Sequence, residues 1–144
     1  MTVQDLIKQK GNTVYCAGLR TTVSQAATLF LEKSVGSLVV CDQDRATGIF
    51  TKNDVLRRYL ANPSGFASAT IGDEPSRELF STTLDANLGE VLEEMVRRGI
   101  RHVPVLDLSG KAVGIITPID ILLFKKDTLV HENQQLMNYI QGSY

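Results

Sequence analysis

The chain is poor in the residues from which metal centres and nucleophilic active sites are built. Its 144 residues include two cysteines and two histidines. The histidines, His102 and His131, stand well apart and form no zinc-type ligand set with the cysteines. No nucleophile–base pair stands out, so an enzyme is not expected. Cys16 and Cys41 both sit in apolar runs, which suits buried, reduced core thiols better than a disulfide or metal pair. An excess of one charge is also missing. Fifteen basic and 16 acidic residues leave a net charge of −1, unlike the basic balance of a nucleic-acid binder. No charged-then-apolar leader opens the chain, and no apolar run approaches the ~20 residues of a membrane span. The expectation is a cytoplasmic protein with neither membrane nor nucleic acid as partner.

What is present is a repeat. The apolar fraction of 43% supports a core, and the length suits one domain or two small halves. Val23, Ala26, Ala27, Phe30 and Leu31 have the spacing of one helical face. Leu88, Val91, Leu92, Met95 and Val96 repeat it at an offset of 65 (88 less 23). Each helix leads into an apolar run, Ser37–Cys41 or His102–Leu106, that ends at an aspartate, Asp42 or Asp107. Polar turns follow, Gln43–Arg45 and Leu108–Lys111, and predict hairpins. The second turn is one residue longer, and both copies stay in step beyond it.

After each hairpin comes the same corner. Gly48-Ile49-Phe50-Thr51-Lys52-Asn53-Asp54 and Gly114-Ile115-Ile116-Thr117-Pro118-Ile119-Asp120 each read as a strand that stops and turns into a helix. Thr is the N-cap and Asp the third helical position, a capping box that contributes about 0.5–2 kcal/mol. Pro118 at the first helical position removes no needed N–H. The corner also gathers free N–H groups, a hydroxyl and a carboxylate, a geometry useful for a phosphorylated or ribose-bearing ligand. Both readings of Thr-x-x-Asp stand at this point.

With leading strands at Thr13–Cys16 and Glu78–Ser81, each copy reads βαββα. The fold class expected is α+β: tandem repeats packed sheet to sheet with pseudo-two-fold symmetry. The divisions are 1–61, with an N-terminal helix; 62–70, a connecting loop broken by Pro63 and Gly65; and 71–144. Even the preambles Val3-Gln4-Asp5 and Ile71-Gly72-Asp73 match. The last helix carries a stripe of Leu122, Leu129 and Leu136 beside Leu123, Val130 and Met137, with Ile140 a turn on. It packs on the chain's own module or forms a dimer contact. It is too short and interrupted for a coiled coil.

These residues resemble a pair of CBS domains, the repeat named after cystathionine β-synthase, whose paired form is the Bateman module. Gly-Ile-Arg-His-Val-Pro-Val-Leu-Asp at 99–107 with the corner at 114–120 carries the resemblance, and Val-Gly-Ser-Leu-Val-Val at 35–40 with the corner at 48–54 supports it. Nearly the whole chain is covered, as in the bacterial proteins that stand alone as one such pair. The resemblance implies a regulatory unit, commonly a homodimer, that binds AMP, ADP, ATP, S-adenosylmethionine or a related adenosyl compound between the repeats. It implies Asp120 and Asp54 as ribose acceptors, Thr117 and Thr51 beside them, and Arg101 and His102 toward phosphates. Arg suits phosphate oxygens through its planar fork of donors. The matching positions Gly36 and Ser37 are uncharged, so the two clefts should differ. Pro104 places its strand at an edge or gap, where an adenine would pair with backbone, walled by Val103 and Leu79. The first copy lacks the Ser-Glu-Arg-Asp common in single-pair proteins, and has Thr51-Lys52-Asn53-Asp54 instead. The competing expectation is a ligand-free dimerisation or partner-binding scaffold. The ligand and the regulated protein have no signature in the chain.

Overall fold

A computed structural model describes residues 1–75 and 78–141. In chain order it contains α1 (Val3–Lys10), β1 (Cys16–Ala17), α2 (Val23–Lys33), β2 (Ser37–Asp42), β3 (Arg45–Thr51) and α3 (Lys52–Ala61). Short 3-10 turns at Pro63–Ser68 and Ile71–Asp73 lead to α4 (Leu88–Arg98), β4 (Val103–Leu106), β5 (Ala112–Ile116) and α5 (Pro118–Ile140). The fold is α+β, with two small sheets. The first runs β1-β2-β3, with β1 parallel to β2; the second is the hairpin β4-β5.

Each sheet covers a core of its own. Leu38, Val40 and Phe50 point to one core with Val23, Ala26 and Phe30 of α2. Val103, Val105 and Ile116 point to the other with Leu88, Val91 and Met95 of α4. Strand side chains alternate between faces. Val39 and Pro104 therefore face away from these cores, yet both are buried, and through them the sheets pack back to back. Near the same seam the Ala46 N–H, at the start of β3, donates to the Gly110 carbonyl of the other hairpin's turn at 2.9 Å.

The preambles cross over. Along the chain α1 precedes the first repeat, but its Val3, Leu6 and Ile7 complete the second core. Ile71 completes the first. The backbone bonds correspond pairwise: Val3 N to Ala86 O and Ile71 N to Thr21 O, then Gln4 N to Leu84 O and Gly72 N to Leu19 O, all at 2.9 Å. Gly114 makes room for this exchange, because a Cβ there would lie 2.8 Å from Ile7 Cδ1.

Four expectations are corrected. The first leading strand is Cys16–Ala17 rather than Thr13–Cys16, and Glu78–Ser81 forms no strand at all. Only Thr82 bridges to Val105. The cause is Pro104. In the first repeat the Val39 N–H donates to Tyr15 O at 2.9 Å. The equivalent donor in the second repeat would be residue 104, and proline has none. Cys16 is exposed and Cys41 half-buried, so neither is a core thiol. Burial pushes the Cys41 thiol up to about 12, with Cys16 beside it. Leu31 and Val96, placed on the apolar helix faces by spacing, are exposed at equivalent positions. Finally, Ile121 is the buried residue of α5, while Leu122, Leu123, Leu129, Val130, Leu136, Met137 and Ile140 are all exposed. The stripe does not pack on its own module.

Candidate functional site

Both corners form as capping boxes. Thr117 N–H donates to Asp120 Oδ2 at 2.9 Å, and Asp120 N–H donates to Thr117 Oγ1 at 3.2 Å. Thr51 N–H and Oγ1 donate to Asp54 Oδ2 at 2.8 and 3.2 Å. The capping role is thus real at both, and what separates them is their surroundings.

The second corner opens on a cavity of about 190 Å³ between the repeats. Thr117 and Asp120 meet Ser37 and His102 there, with Lys10, Thr13 and Tyr15. Each comes from a chain end that the fold converges. Ser37 starts β2, His102 precedes β4, Thr117 follows β5 and caps α5, Lys10 ends α1, and Tyr15 precedes β1. His102 crosses toward the first repeat, and its Nε2 lies 3.1 Å from where a Cβ on Gly36 would be. Glycine at 36 is what lets the ring approach. Burial lowers the His102 pKa below its ordinary 6.5, and the positive charges of Lys10 and Arg101 add to the effect against Asp120. The imidazole is therefore neutral at pH 7 and offers one donor and one acceptor.

Lys10 is the group that spacing did not reveal. Its Nζ forms an ion pair with Asp120 Oδ2 at 2.7 Å and also donates to the Ile115 carbonyl. The Thr117 and Lys10 bonds fall on the same carboxylate oxygen. Among the described residues no hydrogen bond to Oδ1 is formed. Lys10 lies more than a hundred residues from Asp120, so no local motif joins them. Gly36 carried a signal, a small residue just before an apolar strand.

The remaining sequence candidates lie elsewhere. Arg101 is exposed and does not line the cavity, although its charge reaches His102. Val103 is packed in the second core, and Pro104 in the sheet-to-sheet seam. Leu79 is half-buried and is not a cavity wall. None of the three expected to form an adenine slot lines this cavity. The walls present are Val14, Tyr15 and Val35.

Asp54 is 5% exposed and lines a separate space of about 40 Å³, room for little more than a water. Arg57 pairs with it at 2.8 Å. Arg58 lines the same space, and its two terminal nitrogens donate to the Thr70 and Ile71 carbonyls at 2.9 Å each. Its Nε pairs with Glu74 at 2.9 Å, and its guanidinium lies over the Phe50 ring. Residue 58 corresponds to Phe124 in the second repeat, an apolar side chain in place of the guanidinium. Thr51 does not reach the Asp120 cavity.

The profile of the CBS domain family matches residues 12–61 and 71–127. The chain is 29% identical to the mitochondrial CBS domain-containing protein CBSX3 of Arabidopsis thaliana, over 99% of this chain and 73% of that one. It is 32% identical to hypoxic response protein 1 of Mycobacterium tuberculosis, over 75% and 76%. The solved structure of Hypoxic Response Protein I, with two coordinated zinc ions, is similar at a TM-score of 0.72 and 30% identity, covering 86% of this chain and 98% of that one. Here, among the described residues, no three His, Cys, Asp or Glu side chains gather as a metal site. The CBS domain pair of protein MJ0100, in complex with 5′-methylthioadenosine and S-adenosyl-L-methionine, has the same fold at a TM-score of 0.75 and 23% identity, over 89% and 98%. Among the described residues no helix is long and apolar enough to cross a membrane.

Proposed function

The chain belongs to the CBS-domain family, and on that footing we propose that it is a regulatory module, not a catalyst, that senses an adenine nucleotide or other adenosyl compound in the Asp120 cavity. The observation that carries this reading is the cavity itself. It brings Thr117, Asp120, Ser37 and His102 from two repeats to one place, beside an aromatic ring, Tyr15. A carboxylate suits the paired hydroxyls of a ribose, and the hydroxyls and imidazole suit polar edges. The fold shared with MJ0100 supports the ligand class, since in that protein it houses adenosyl compounds.

The signal would travel through α5, which starts at the site. A ligand shifts the relative orientation of the sheets only by its different affinity for each orientation. Scattering profiles that are identical with and without saturating ligand would refute this route. Binding is tested by calorimetry against AMP, ADP, ATP and S-adenosylmethionine. The expected result is micromolar affinity for at least one, lost in Asp120→Ala; no heat and no thermal shift with any of them would overturn the reading.

A second reading, a cytoplasmic homodimer acting as a scaffold without ligand, rests on the bare stripe of α5. Leu56 and Leu60 of α3, the pseudo-symmetric helix, are exposed as well. Contiguous exposed apolar surface marks a contact site. Dimerisation fits both readings, and only ligand binding separates them.

A further inference from the structure

We propose that Lys10 makes the cavity selective for nucleotides over neutral nucleosides, by guarding Asp120 until an anionic group draws it away. This rests on the adenosyl reading of the site and deepens it. Lys10 Nζ stands on the carboxylate that a ribose would use, 2.7 Å from Oδ2. With Lys10 in place the cavity is about 190 Å³, below the roughly 300 Å³ at which small-molecule sites begin. A sugar that takes both oxygens of the carboxylate must move the lysine, and the lysine is built to move. About a third of its side chain is exposed, and it has four flexible methylenes. Its backbone is fixed, however, since Val3, Leu6 and Ile7 anchor α1 in the second core. The ammonium therefore swings within reach of the cavity rather than leaving it.

What it swings to decides the ligand. A neutral nucleoside breaks the Lys10–Asp120 pair and returns only hydroxyl hydrogen bonds. A nucleoside 5′-phosphate offers the displaced ammonium a new anion at the same time. The surrounding charge agrees: Arg101, outside the cavity, and Lys10 both act electrostatically on His102, against the single charge of Asp120. Lys10 and Arg101 against Asp120 leave one net positive charge around His102, and a neutral sugar does not change it. S-adenosylmethionine carries a sulfonium cation beside the ribose, and the same field disfavours it.

Lys10→Gln tests this, with AMP and adenosine as probes in calorimetry. The expected result is weaker AMP binding, tighter adenosine binding, and a fall of about tenfold or more in the ratio of the two affinities, the worth of one charge-assisted hydrogen bond. Lys10→Arg should restore most of the ratio. A purely structural staple between α1 and β5 would instead weaken both ligands alike, leaving the ratio unchanged; that result overturns the inference while the adenosyl reading stands. Wild-type protein bypasses any folding defect in the variant. Added salt should weaken AMP and strengthen adenosine, because it screens the phosphate contact and the Lys10–Asp120 pair respectively. Parallel salt responses would also overturn it. Wild-type protein that binds neither AMP nor adenosine would sink both the inference and the adenosyl reading.

Discussion

Asp54 and Asp120 occupy the same place in the same motif, yet one faces a space of about 40 Å³ and the other a cavity of about 190 Å³. Asp54 is tied to Arg57 behind an arginine that holds four neighbours at once. Asp120 meets one lysine at the mouth of a cavity. The difference teaches that a Thr-x-x-Asp corner is first a helix cap and becomes a ligand site only where the facing segment leaves space. At the first corner the facing segment is Thr70–Pro75, which closes over it with the help of Arg58. At the second it is the end of α1 and residues 13–15, which leaves a hollow.

The sharpest way to break this comparison is to remove each aspartate in turn. Asp120→Ala should abolish adenosyl binding, while Asp54→Ala should leave it intact and cost about 2 kcal/mol of stability, from the loss of a buried capping carboxylate. Equal loss of binding in both, measured by calorimetry, would show that the small space at Asp54 takes ligand as well. Arg58→Ala comes next. It leaves two carbonyls, Thr70 and Ile71, without this donor, and should cost about 1–3 kcal/mol in urea unfolding. The stoichiometry should remain one ligand per chain, since Asp54 keeps Arg57. A smaller effect is expected at His102. Its folded pKa lies below 6.5, so the unfolded chain takes up a proton there first as pH falls. Stability should then drop as pH falls below 6.5, down to the folded value. His102→Asn should flatten that part of the stability–pH curve, and an unchanged slope would place the titration elsewhere. Pro104→Val sharpens the comparison of the two sheets. The new N–H should find the Phe80 carbonyl and appear as one extra slowly exchanging amide, detected by hydrogen exchange.

The spacing of Val23, Ala26 and Phe30 against Leu88, Val91 and Met95 was enough to locate α2 and α4, because helix faces write their burial into the sequence at a fixed period. The hairpins were legible for the same reason. Leu31 and Val96 show the limit: apolar spacing says which residues share a face, not how wide a face the core covers. The bounds of β1 and the missing strand at Glu78–Ser81 were less legible. Whether two residues of strand form depends on a partner's N–H, and Pro104 withholds it from far along the chain. Of the residues that line the cavity, Thr117 and Asp120 were legible from the repeated corner, while His102 and its counterpart Ser37 were singled out by the family resemblance. Arg101, Val103, Pro104 and Leu79 were placed by analogy with a motif and lie outside the cavity.

The sequence by itself determined the repeat, the two capped corners and the charge difference between Gly36-Ser37 and Arg101-His102. These are local, since periodicity, capping and turn chemistry act over a few residues. Tertiary structure alone decided that α1 crosses to the second core, that Lys10 arrives on Asp120, and that Arg58 fills the space before Asp54. Those contacts join segments with no shared pattern, and they follow from which chain ends the pseudo-symmetric packing of two sheets brings together.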